Sequence, residues 1–112
     1  QLGKAQVGLL SSIGDPEGFE QTVKALGAPV QGHQIYPDHY RYRAFDWQEV
    51  LRWASVLGVE ALVTTEKDLV RLRPWLRTVD PGRIRLWVLR IQMRLLSGEE
   101  ALHARLAALW RR

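Results

Sequence analysis

Two stretches of this 112-residue chain carry side chains whose types and spacing could do chemistry. The first is Tyr36-Pro37-Asp38-His39-Tyr40-Arg41-Tyr42-Arg43. An Asp beside a His can orient the imidazole or accept its proton, and imidazole titrates near neutral pH, where a general acid–base group must work. The two Arg and three Tyr offer the donors and flat rings that hold a phosphate and a sugar. The same residues equally describe a polar loop in which Asp38 caps a turn and the aromatic rings cover a sheet edge. Functional groups concentrate in loops, yet polar loops outnumber active sites. The second stretch is Thr64-Thr65-Glu66-Lys67-Asp68. Free N–H groups at a helix start attract anions, and Thr65 and Lys67 add a hydroxyl and a charge. Glu66 and Asp68 already answer the helix dipole, and Thr65 and Asp68 have capping-box spacing, so a well-capped helix is the competing reading. Gly14-Asp15-Pro16 carries the same ambiguity between a ligand site and a turn with an N-cap.

Other chemistry is excluded or unsupported. There is no G-x-x-x-x-G-K-[ST] and no G-x-G-x-x-G, so neither a P-loop nor a dinucleotide fingerprint is present. His33, His39 and His103 lack ligand spacing, and with no Cys at all the chain makes no metal site of its own, no disulfide scaffold and no thiol nucleophile. No apolar run approaches the ~18 residues that span a bilayer, so the chain is expected to be soluble. The net charge is +4, distributed as −1 over residues 1–56 and +5 over residues 57–112. Such a basic half suits phosphates, an anionic membrane surface or simply a solvated Arg-rich face. No recognised nucleic-acid motif accompanies it, and no nucleic-acid partner is expected.

The elements that must position these residues follow from periodicity and punctuation. Residues 6–13 are an apolar run; Asp15 and Pro16 then open a helix with Phe19, Val23 and Leu26 at helical spacing, stopped by Gly27. Residues 30–36 read as a second strand ending at Pro37, and the polar aromatic loop follows it. Asp46 is expected to cap a helix carrying Trp47, Val50, Leu51, Ala54 and Leu57, closed by Gly58. Residues 59–64 suit a strand buried on both faces, running directly into a helix with Leu69, Val70 and Leu72 that Pro74 breaks. Residues 84–95 end in clean alternation, Leu89, Ile91, Met93 and Leu95 against Arg90, Gln92 and Arg94, as in an amphipathic edge strand. Ser97 and Glu100 have capping-box spacing before Leu102, Leu106 and Leu109, which predicts a final helix. The order β-α-β-α-β-α-β-α predicts one small three-layer α/β domain over residues 1–112, with a mainly parallel four-stranded sheet and its last strand at an edge. Among the five Trp, Trp47 and Trp87 read as packed, while Trp53, Trp75 and Trp110 stand beside Arg, a pattern of membrane interfaces and of surface cation–π pairs but more often of partial burial under an Arg cover.

Taken in order, Ile13-Gly14-Asp15-Pro16-Glu17-x-Phe19, Ala25-Leu26-Gly27-Ala28, Tyr36-Pro37-Asp38-His39-Tyr40 and Ala61-Leu62-Val63-Thr64-Thr65-Glu66-Lys67-Asp68 resemble the C-terminal lobe of the tetraacyldisaccharide 4′-kinases, the lipid A 4′-kinases of Gram-negative bacteria. The resemblance covers residues 6–110. Ser11-Ser12 departs from the usual Ala-Gly of that family, and Tyr40 stands where a second His is common. The resemblance implies a two-lobed kinase, cut here from a longer polypeptide, whose N-terminal P-loop lobe lies upstream of Gln1 and binds ATP and Mg²⁺; the 112 residues alone would bind neither and be inactive. The γ-phosphate would go to the 4′-hydroxyl of a tetraacylated lipid disaccharide 1-phosphate at the cytoplasmic side of the inner membrane. His39, with Asp38 beside it, is the implied catalytic residue, pairing with an aspartate of the other lobe near the attacking hydroxyl. Arg41, Tyr40, Lys67 and Thr65 are the candidate substrate contacts. The alternative is a non-catalytic α/β module that regulates, binds polyanions or braces a partner.

Overall fold

The computed structural model describes residues 5–96 and 99–108. Its elements are β1 (Val7–Ser11), α1 (Pro16–Ala25), β2 (Val30–Ile35), α2 (Ala44–Leu57), β3 (Ala61–Thr65), α3 (Glu66–Leu72), a short 3₁₀ turn at Arg73–Trp75, β4 (Arg85–Leu96) and β5 (Glu99–Ala108). The sheet order is β2-β1-β3-β4-β5, with the first four strands parallel and β5 antiparallel to β4. An α/β domain with a mostly parallel sheet is thus what the chain forms.

Alternation along the strands divides the core in two. Val7, Leu9, Ala61, Val63 and Leu89 share one cluster with Phe19 and Val23 of α1. Leu10, Leu62 and Leu86 meet Trp47, Val50, Leu51 and Ala54 of α2 and Leu72 of α3 in the other. A side chain such as Val23 or Trp47, both fully buried, stabilises the fold by roughly 1.5–3 kcal/mol through apolar burial. The chain leaves β1 for β2 on one side and returns through α2 to β3 on the other. This reversal opens a crevice at the carboxyl ends of β1 and β3, the place where open α/β sheets bind ligands.

Local chemistry accounts for the element boundaries. Asp15 Oδ1 accepts from Gly18 N at 2.9 Å and caps α1, and Gly27 follows its end with φ of 96°. Gly58, at φ 80°, closes α2 in the left-handed conformation. Asp46 is not the N-cap of α2, as expected from sequence, but its third helical residue; its carboxylate accepts from Arg43 N at 2.8 Å. Sequence spacing alone does not distinguish the two positions, because an acidic residue favours both.

The C-terminal expectations need correction. Residues 99–108 form strand β5 rather than a helix, and β4 is internal, so the sheet has five strands with β2 and β5 at its edges. Leu102 and Leu106 are four apart, a spacing that fits a helix face and a strand face equally. The long amphipathic β4 presents an open ladder, and pairing from Trp87↔Ala108 to Leu96↔Glu99 satisfies its backbone groups. Ser97, Leu109 and Trp110 lie outside the described residues. Trp53 is partly buried, as its sequence context favours: a Cβ on Gly8 or Gly32, which pair across β1 and β2, would approach its ring to 2.9 and 2.8 Å. Two side chains are absent from the sheet so that one indole can lie against it. Trp75 likewise packs on the α2 cluster, and its indole N–H donates to Tyr42 O at 2.9 Å. Trp47 and Trp87 are packed as expected.

Candidate functional site

At the carboxyl end of β1, Ser12 faces the start of α3, and the two are joined through Asp68. This carboxylate has no exposed surface, yet five donors converge on it. They are Ser12 N at 3.1 Å, the Ser12 hydroxyl, Thr65 Oγ1 at 2.7 Å, Tyr42 Oη at 3.1 Å and Arg71 Nη1 at 3.2 Å. A buried carboxylate is tolerated only when its lone pairs are answered in this way. The capping box expected at Thr65 and Asp68 is half realised. Thr65 Oγ1 accepts from Asp68 N at 3.0 Å, but the Asp68 carboxylate turns to Thr65's hydroxyl and into the crevice.

The loop after β2 is held over the same crevice. Tyr36 N donates to Ser11 O at 2.8 Å and His39 N to Ser12 O at 2.9 Å, while Tyr40 N closes a turn on Pro37 O at 3.0 Å. Within that turn His39 has φ of 63°, a left-handed conformation that costs an ordinary residue about 1 kcal/mol or more. The side chain it presents is 74% exposed. Arg71 Nη2 lies 3.0 Å from His39 Nδ1, and Arg71 Nη1 donates to Ser12 Oγ at 3.0 Å and to Asp68. One guanidinium thus connects the buried carboxylate to the exposed imidazole. Asp38 Oδ1 is 3.8 Å from His39 Nε2, near enough for charge but too far for a hydrogen bond.

The remaining expected site residues separate. Tyr36, Tyr40 and Tyr42 pack their rings together at centroid distances of 4.8, 5.2 and 5.3 Å. Tyr40 Oη donates to Asp46 at 3.0 Å, and the buried Tyr42 donates to Asp68. Burial pushes the Tyr42 phenol far above its ordinary range, and burial also raises Tyr36. Arg41 is exposed beside this cluster. Lys67 lines a groove of ≈ 500 Å³ together with Thr65, Gly14, Asp15, Phe19 and Leu89. Thr65 reaches the crevice but spends its hydroxyl on Asp68.

Arg71 and Ser12 were not among the sequence candidates, and Asp68 was read there only as part of a helix cap. Asp68 and Arg71 are three apart on one helix, so their pairing was available from spacing, and Ser12 stood out as a departure from Ala-Gly. On the opposite face, hydrogen bonds of 2.8 and 2.9 Å link Ser11 Oγ to His33 Nε2 and His33 Nδ1 to Glu20 Oε1. The order resembles a nucleophile relay, but Ser11 has no exposed surface, and the links tie β1, β2 and α1 together. Lys24, and after it His33, hold the Glu20 carboxyl below its usual range. Among the described residues no group of three or more His, Cys, Asp or Glu could hold a metal ion, and no helix is long and apolar enough to cross a membrane.

Fold and site together define an α/β unit that presents one ordered imidazole over a switch-point crevice. A family described as Tetraacyldisaccharide-1-P 4′-kinase matches residues 1–111, and the chain belongs to it. A tetraacyldisaccharide 4′-kinase of Anaeromyxobacter dehalogenans (strain 2CP-C) is 44% identical over 102 residues, covering 91% of this chain and 26% of the relative. One from Methylobacterium sp. (strain 4-46) is 39% identical over 102 residues, covering 90% and 28%. The chain therefore spans about a quarter of the length of the curated relatives it matches.

Proposed function

We propose that this chain is the C-terminal lobe of an ATP-dependent kinase that phosphorylates the 4′-hydroxyl of a tetraacyldisaccharide 1-phosphate, with His39 at the acceptor hydroxyl. Family membership supports the reaction class. The observation that carries the assignment of His39 is its pose: an exposed ring, in a left-handed turn, pinned through its backbone to β1 and through Nδ1 to Arg71. Phosphoryl transfer asks little covalent work of a protein and much positioning, so a group that only orients a hydroxyl needs this kind of restraint. Asp38, close to Nε2, acts as a local charge on the ring. Of the substrate contacts, Arg41 and Lys67 are the cations that face solvent, whereas the hydroxyls of Tyr40 and Thr65 are engaged by Asp46 and Asp68.

The residues present do not fit MgATP. Both oxygens of Asp68 are taken by protein donors, and the sequence has no phosphate-cradling Gly-Lys loop. In this reading the nucleotide is held by an N-terminal P-loop lobe, the lipid disaccharide lies between the lobes, and the basic half of the chain faces the anionic cytoplasmic side of the bacterial inner membrane. In the full-length enzyme His39→Ala should lower kcat by about 10²–10⁴, with MgATP binding and melting temperature little changed. Normal kcat would make His39 a loop residue and give the domain a bracing role.

A further inference from the structure

We propose that Arg71 is a positioning residue that fixes the tautomer and direction of the His39 ring, leaving Nε2–H as the outward donor. The inference rests on the reading of His39 given above and states what that ring does. A guanidinium has five donors and no acceptor, so the ring nitrogen 3.0 Å from Arg71 Nη2 must be the one that accepts. In a neutral imidazole the proton then sits on Nε2. His39 therefore offers its free side as a hydrogen-bond donor, suited to orienting an acceptor such as a carboxylate or the oxygen of a hydroxyl. It does not offer a lone pair there, so it is not the base that removes the hydroxyl proton.

Arg71 is placed to do this by the crevice rather than by the loop. Its Nη1 is held at 3.0 Å from Ser12 Oγ and 3.2 Å from Asp68 Oδ1, and its side chain is 22% exposed. Two anchors fix the guanidinium plane, and the second nitrogen of the fork is then aimed at Nδ1. Ser12 also holds the loop through its carbonyl, which accepts from His39 N at 2.9 Å. Backbone and ring of His39 are thus referenced to one residue at the end of β1. A lysine offers a single nitrogen and cannot serve both ends.

The test uses the full-length kinase labelled with ¹⁵N in its histidine side chains, His39 being assigned by its loss in His39→Ala. Long-range ¹H–¹⁵N spectra of the wild type should show Nδ1 unprotonated and Nε2 protonated. A protonated Nδ1 in the neutral ring would overturn the proposal without any variant having to fold. Arg71→Met keeps four donors on Asp68 and removes the contact to the ring together with one charge and the contacts to Ser12 Oγ and Asp68 Oδ1. It should lower kcat by roughly tenfold to a hundredfold, the span for partners that orient a functional imidazole, with KM for MgATP unchanged. In a His39→Ala background it should cost nothing further. An equal loss in both backgrounds would show that Arg71 does not act through His39. Full activity of His39→Ala would instead defeat the underlying reading of His39, while the tautomer is still decided by the spectra.

Discussion

Replacing Asp68 by Asn keeps the shape of the side chain and removes its charge, so it measures what the buried carboxylate contributes. Oδ2 accepts from Ser12 N and Thr65 Oγ1, and Oδ1 accepts from the Ser12 hydroxyl, Tyr42 Oη and Arg71 Nη1. An amide has one oxygen and must turn an NH₂ toward one of these sets. Hydroxyls can rotate away from the clash. The main-chain N–H of Ser12 and the guanidinium of Arg71 cannot become acceptors, so one of the two faces a donor in a buried place. An unsatisfied buried donor costs about 1–3 kcal/mol, and loss of one member of a buried ion pair about 3–5 kcal/mol. Asp68→Asn should therefore destabilise residues 1–112 by about 3–5 kcal/mol, a large share of the roughly 5–15 kcal/mol typical of a domain. Thr65→Ala is the comparison, since it removes the N-cap, at about 1 kcal/mol, and only one of the five donors on Asp68. Urea unfolding followed by tryptophan fluorescence compares the two, and a change in midpoint at constant slope isolates stability. An Asp68→Asn cost no larger than that of Thr65→Ala would show that the five contacts do not hold the crevice together.

Tyr42 should make the domain sensitive to alkali. Burial holds its phenol protonated in the fold while the unfolded phenol ionises from its ordinary 10.0, so its contribution is complete below about pH 10 and is lost as pH rises further. The fall in urea midpoint between about pH 9 and pH 11 should shrink in Tyr42→Phe, and an unchanged fall would contradict the assignment. Gly32→Ala should cost about 1–3 kcal/mol, because its Cβ would stand 2.8 Å from Trp53 Cζ2 and 3.2 Å from Leu57 Cδ2. A wild-type melting temperature for that variant would mean that Trp53 does not rest on the glycine floor.

Through β4 the order of elements was legible in the sequence, because the signals that set it are local. Asp15-Pro16 opens α1, Gly58 ends α2, and a compact apolar run makes β3, each acting within one turn or strand of itself. The position of His39 at a strand's carboxyl end follows from the same local reading and from Pro37. Strand order, by contrast, brings Ser12 to Asp68 across 56 residues and Arg71 to His39 across 32, and no spacing in the chain encodes either meeting. Asp68 therefore reads locally as a cap, Trp53 as a ring half-covered by Arg52 with no hint of its glycine floor, and His39 gives no sign of its positive φ. Residues 99–108 are the clearest case. Leu102 and Leu106 satisfy both periods, so the choice between helix and strand fell to the open ladder of β4, a partner that exists only once the sheet has formed.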